Sequence, residues 1–172
     1  YQSKMTWETV QHIKGKFDIP LVVKGVMSPT DAKQCVEAGV DVIYVSNHGG
    51  RQLDHSIACI DALPDVVKAV DGRCPVLVDG GFMRGADVVK ALCLGASAVG
   101  VGRLEALAVS AGGWEGLVRA LQILEREIGI TMALLGAAKL KNLNPGLLQR
   151  QESSTAHQYL SAFPFLDEDY FT

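Results

Sequence analysis

The sequence predicts an α/β protein built on a parallel sheet, and three observations lead there. Four short apolar runs, Leu21–Lys24, Asp41–Val45, Cys74–Val78 and Ala96–Val101, alternate with segments of helical periodicity. Their continuous apolar character suits strands covered on both faces. Each run ends in a polar or glycine-bearing turn: Lys24-Gly25, Ser46-Asn47-His48, Asp79-Gly80-Gly81 and Gly102-Arg103. A helix followed by four strand–helix units implies right-handed crossovers and a parallel sheet. A barrel and an open doubly wound sheet both fit. The glycine fingerprint of dinucleotide folds is absent, because Gly100-Val101-Gly102 continues as Arg103-Leu104-Glu105, which lowers the open-sheet dinucleotide reading.

Taken in order, residues 6–17 predict a helix capped by Thr6, with Glu8 in its first turn and Trp7, Val10, Ile13 and Phe17 as its apolar stripe. The first strand follows Pro20. Ser28-Pro29-Thr30-Asp31 is a helix start, with a capping serine, proline at the first helical position and an acid three residues after the cap. Gly39 ends that helix. Residues 56–71 read as helical, with a break or second start expected at Pro64. A helix over 85–94 ends at Gly95. Further helices are expected over 104–110 and 114–128, and Thr131 is read as the cap of another reaching about Leu140.

From Asn144 the character changes, which sets a boundary between a body over 1–143 and a linker and tail over 144–172. Gln149–Gln158 is polar and reads as a linker. Ala162-Phe163-Pro164-Phe165-Leu166, next to an acidic end, is expected to dock on a surface such as a neighbouring subunit, and a homo-oligomer is expected.

The 172 residues carry a formal net charge of -3 and are 48% hydrophobic, which suits one unit with a core. The charge is too small and mixed for a nucleic-acid binder. No apolar run reaches the roughly 18 residues of a membrane span. Cys35, Cys59, Cys74 and Cys93 are widely spaced without a CxxC pair, so reduced core thiols are expected rather than a metal site. These features point to an intracellular, cytoplasmic setting. The chain opens on Tyr1 rather than methionine and is expected to be a processed product or one part of something larger.

The chemistry concentrates at the strand ends. Ser46-Asn47-His48-Gly49-Gly50-Arg51-Gln52-Leu53-Asp54 places an imidazole and a guanidinium three residues apart where a buried strand releases its chain. Histidine exchanges a proton near neutral pH. Arginine grips a carboxylate with two parallel hydrogen bonds. Taken alone, His48 would be a turn cap and Arg51 a solvated side chain; the neighbouring loops shift the balance. Asp79-Gly80-Gly81 and Gly102-Arg103 let backbone N–H groups approach an anion, and the helix starts that follow add positive potential. If the four strands are half of an eight-stranded barrel, these loops occupy its usual phosphate position. Arg103 would neutralise the phosphate, with Arg84 as a second candidate.

Together with Leu21-Val22-Val23-Lys24-Gly25-Val26, these motifs resemble, in order and spacing, the FMN-dependent α-hydroxy acid oxidases and dehydrogenases, over about Trp7 to Leu140. The resemblance implies the second half of a (β/α)8 TIM barrel. It implies FMN as cofactor and oxidation of a small 2-hydroxy acid to the 2-oxo acid, with oxygen or another electron acceptor. By resemblance, Lys24 lies beside the flavin ring and Ser46 contacts it. His48 is the catalytic base and contacts substrate, and Arg51 holds the substrate carboxylate. Asp79 reaches the ribityl chain, while Gly80, Gly81, Gly102 and Arg103 cradle the phosphate.

Two departures stand out. Met83 occupies a position where the family carries a phosphate-binding arginine. The other half of the barrel, with an active-site tyrosine and the aspartate that orients the base, would lie upstream, so the N-terminal half is the expected partner. The alternatives are a flavin-free remnant acting as an interaction module and another FMN barrel enzyme such as an isomerase; the His48–Arg51 spacing argues against the latter.

Overall fold

The computed structural model describes residues 4–150. The proposed linker lies mostly outside that range, and the Phe163–Phe165 segment wholly so. Helix α1 (Trp7–Lys16) is capped by Thr6, whose side chain accepts from the Thr9 backbone. Four strands follow, β1 (Val22–Lys24), β2 (Val42–Val45), β3 (Val76–Val78) and β4 (Ala98–Val99). Between and after them run α2 (Pro29–Glu37), α3 (Cys59–Val70), α4 (Gly85–Cys93) and α5 (Gly102–Leu134). The strands form one sheet in the order β1-β2-β3-β4, every neighbouring pair parallel. This is a partial (β/α)8 barrel.

Register sorts the side chains. Val23, Ile43 and Val76 align across the sheet, as do Val45, Val78 and Val99. These face the helices: Ile43, Val45 and Val78 are fully buried and pack with Cys35, Leu63 and Val66 in the single large core cluster. The alternate residues, Val22, Lys24, Val42, Tyr44, Leu77 and Ala98, point to the other face because side chains alternate along a strand. None of these six is buried.

Two expectations about helices are corrected. Pro64 does not break α3, which runs unbroken from Cys59 to Val70. Proline in the second turn forfeits the bond to the Ile60 carbonyl and costs about 3 kcal/mol. Burial of Leu63 and Val66, both at 0% exposure, offsets this at about 1.5–3 kcal/mol each. Thr131 caps no new helix. Its hydroxyl donates to the Glu127 carbonyl inside α5, and Gly136 at φ +70° ends the run. The 104–110 and 114–128 segments are two helical stretches as expected, separated within α5 where Gly112 and Gly113 leave helical geometry.

Among the described residues no helix is long and apolar enough to cross a membrane, and no cluster of histidine, cysteine and acidic side chains could hold a metal.

Candidate active site

The inward parity of the sheet continues past the strand ends. It carries Ser46, Asp79 and Gly100 to the same side as Lys24, one inward step beyond it along the strands. The Lys24 ammonium donates to Ser46 Oγ at 2.7 Å and pairs with Asp79 Oδ2 at 3.1 Å. Ser46 is 1% exposed, the one buried polar residue among those described, and its Oγ also accepts the His48 backbone N–H at 3.2 Å. One hydroxyl thus ties the lysine of β1 to the turn after β2. Asp79 Oδ1 is buried without a hydrogen-bond partner among the described residues, and such an atom costs about 1–3 kcal/mol unless something donates to it.

The turn after β2 is wound tightly. His48, Gly49 and Gly50 all have positive φ, at 56°, 68° and 73°. For a histidine this is an uncommon conformation. Ser46 Oγ holds its amide, Asn47 Oδ1 accepts from Gly49 N at 3.1 Å, and Asn47 Nδ2 donates to the Ile57 carbonyl at 3.3 Å. Arg51 Nε donates to the His48 carbonyl at 3.2 Å. Its two terminal amino groups make no hydrogen bond among the described residues, so they remain free for an anion.

The loop after β3 needs its glycines. Gly80 and Gly81 sit at φ +105° and +90°, and a Cβ on Gly80 would fall 2.9 Å from Cys59 Sγ. Arg103 stands in the first turn of α5, which has no side-chain cap, and its Nη2 lies 3.9 Å from where a Gly81 Cβ would sit. Unpaired amides and the dipole of a helix start favour an anion there.

These parts line one cleft of about 510 Å³, bordered by Lys24, His48, Arg51, Asp79, Gly80, Gly81, Met83, Gly100, Gly102 and Arg103. Three cations face one carboxylate along its wall. Every residue singled out from sequence lies on this wall except two. Ser46 sits behind it, holding Lys24 and His48. Arg84, the second candidate for phosphate, is corrected: its Nε and Nη2 bind Glu127 Oε1 at 2.8 and 2.7 Å, and Glu127 Oε2 accepts the Gly85 N–H at 2.7 Å. The Glu127 carboxylate holds the Arg84 pKa above its usual value. Arg84 therefore clasps the start of α4 to α5, away from the cleft, while Met83 lines it.

Sequence reasoning missed Tyr44 and Cys59. Tyr44 lies under Lys24, with the ammonium 5.1 Å from its ring centroid. Burial, then the Asp79 carboxylate, pushes its phenol pKa up. Cys59 Sγ accepts the Asn47 N–H at 3.2 Å, and burial pushes its thiol pKa up. Only the strand register exposes the first, and only the packing of two loops the second.

The cleft fits FMN on its own terms. The orphaned Asp79 oxygen can accept a ribityl hydroxyl, and the glycine loop and Arg103 can cradle a phosphate. Met83, on the same wall, offers no charge to that anion.

Comparison with known proteins agrees. The family model of FMN-dependent dehydrogenases matches residues 1–150. The chain is 42% identical to an L-lactate oxidase of Nostoc sp. over 84% of this chain and 40% of that protein. It is 45% identical to a 4-hydroxymandelate oxidase of Amycolatopsis orientalis over 83% of this chain and 42% of that one. Among solved structures, mandelate oxidase with benzoyl-formic acid superposes with a TM-score of 0.78 at 45% identity, over 81% of this chain and 42% of that one. The chain thus spans about two fifths of the length of the relatives it matches. With the match running through the whole described body, the chain belongs to the FMN-dependent dehydrogenase family, whose cofactor is FMN.

Proposed function

We propose that this chain carries the chemical face of an FMN-dependent oxidoreductase that converts a 2-hydroxy acid to its 2-oxo acid. The observation that supports it most is the convergence of one imidazole, one free guanidinium fork and one lysine–aspartate pair on a single cleft. In this reading Lys24, Ser46, Asp79, Gly80, Gly81, Gly102 and Arg103 hold FMN, which supplies the two-electron acceptor when bound. Arg51 grips the substrate carboxylate through its terminal amino groups, a pairing whose fork geometry fixes orientation as well as charge. An imidazole nitrogen of His48 accepts the proton that the substrate loses on oxidation. Holding the carboxylate at Arg51 places the reacting carbon within reach of that base, so the step proceeds as if unimolecular.

The reading includes a partner, the remaining β/α units of the barrel. Two facts support it. Among the described residues β1 and β4 are open sheet edges, and the inward face leaves Val22 47% exposed. Unpaired apolar strand edges associate readily. Met83 supports a second reading, a flavin-free module that retains the fold without the chemistry.

The test is the visible spectrum of purified protein containing both barrel halves, before and after anaerobic glycolate, lactate or mandelate. Flavin absorbance bleached by one of them is expected. Protein without flavin supports the second reading, and flavin untouched by any 2-hydroxy acid refutes the substrate class. An oxygen electrode then sorts an oxidase from a dehydrogenase.

A further inference from the structure

The parallel register sets Tyr44 directly beside Lys24 on the inward face. With the ammonium 5.1 Å from its centroid, the ring is within cation–π reach. The phenol end extends across β3 to Gly100, where its oxygen takes up the space a Cβ would fill; that Cβ would also lie 3.2 Å from the Cβ of Asp79. Tyr44 is itself no part of the cleft wall, whereas Lys24, Asp79 and Gly100 are. It lies level with Lys24 and two residues short of Asp79 and Gly100 along the strands.

A lysine stem is flexible, and this one is 39% exposed along its side chain. Ser46 and Asp79 supply acceptors for the ammonium, and the Tyr44 ring supplies the surface beneath it. We propose that Tyr44 is a positioning residue: it fixes the Lys24 ammonium at the cleft, and Gly100 is the space its hydroxyl requires. The inference rests on the FMN reading of the cleft, since the position of Lys24 is sensed through the bound flavin. A cation held beside a group that gains negative charge favours the charged form, so Tyr44 acts on the flavin through Lys24.

The experiment uses FMN-loaded protein with both barrel halves, equilibrated with a reference redox dye, and reads the ratio of reduced to oxidised FMN. Tyr44→Leu removes the ring and is expected to lower that ratio about fivefold. Tyr44→Phe keeps the ring and should hold the ratio within about twofold. Gly100→Ala displaces the hydroxyl and should shift the ratio in the same direction as Tyr44→Leu; combining it with Tyr44→Phe should move the ratio back toward wild type. An unchanged ratio in folded Tyr44→Leu overturns the inference. If that variant does not fold, a Gly100→Ala shift that Tyr44→Phe fails to relieve overturns it equally. Wild-type protein that binds no FMN would bring down the cofactor reading and this inference together, whereas FMN-loaded protein with indifferent variants brings down the inference alone.

Discussion

Replacing Met83 with arginine tests the anion end of the cleft. Met83 lines the wall at 38% exposure, and Arg84 is committed to Glu127. In the proposed FMN site Arg103 would therefore be the only guanidinium among the described residues to meet the phosphate, which carries close to two charges. A new charge-assisted hydrogen bond contributes roughly 1.5–3 kcal/mol. At about 1.4 kcal/mol per tenfold, that is about tenfold to a hundredfold in Kd, and the partial exposure of the site places the expectation near the lower end. The assay is quenching of flavin fluorescence on titration with the protein containing both barrel halves, run with FMN and with riboflavin. Met83→Arg should tighten FMN by about tenfold and leave riboflavin, which has no phosphate, where it was. An unchanged FMN-to-riboflavin ratio would refute the placement of Met83 beside the phosphate. Tightening of both ligands alike would assign the gain to something other than phosphate charge.

Three further outcomes follow from the geometry. His48→Gln should keep FMN bound while flavin reduction by substrate falls on the order of 10² to 10⁴-fold or more; near-normal rapid-mixing reduction rates would remove the base from His48. Arg51→Lys keeps the charge but loses the fork, so the substrate concentration giving half-maximal reduction should rise while FMN affinity holds, and a flat comparison would reduce Arg51 to simple charge. Asp41 accepts the Leu21 N–H at 2.6 Å and pairs with Lys14 at 2.5 Å, and these contacts, the backbone bond first, hold its carboxyl below the usual 3.8. A depressed carboxylate stabilises the fold above its unfolded value and loses that contribution as pH falls through the folded one. Asp41→Asn should therefore lower the melting temperature at pH 7, with the gap to the parent closing as acid protonates Asp41; a gap independent of pH would refute the ion-pair account.

Much of this was legible from residues alone. Alternation of apolar runs with helical segments, and Ser28-Pro29 as a helix start, lead directly to β/α units. The glycine-flanked strand ends lead to the cleft. Pro64 misled because a local rule about one lost hydrogen bond was weighed without the burial of Leu63 and Val66. Arg84 misled for a related reason. A sequence shows that a guanidinium stands near a phosphate loop, but Glu127, 43 positions away, decides which way it turns. Tyr44 was invisible because its meaning lies in register: nothing in the order of residues states that Lys24 and Tyr44 are neighbours.

The two faces of the sheet divide stability from chemistry. The helix-facing side is a finished core, with Ile43, Val45, Val66 and Val78 closed to solvent. The inward side carries Lys24, Tyr44, Asp79 and the approach to His48, and its apolar members Val22 and Leu77 remain unfilled by this segment. Burial stabilises at roughly 25 cal/mol per Å², so the first face can hold the β/α units together by itself while the second contributes little until it is covered. Substitutions at Leu63 or Val66 should therefore register as lost stability, about 2–5 kcal/mol for Leu63→Ala. Substitutions at Lys24 or Tyr44 should register in flavin properties with the fold retained. Closing the barrel adds apolar cover to the very side where the cations and the orphaned Asp79 oxygen wait, so in the proposed enzyme assembly of the second core and assembly of the active site are one event.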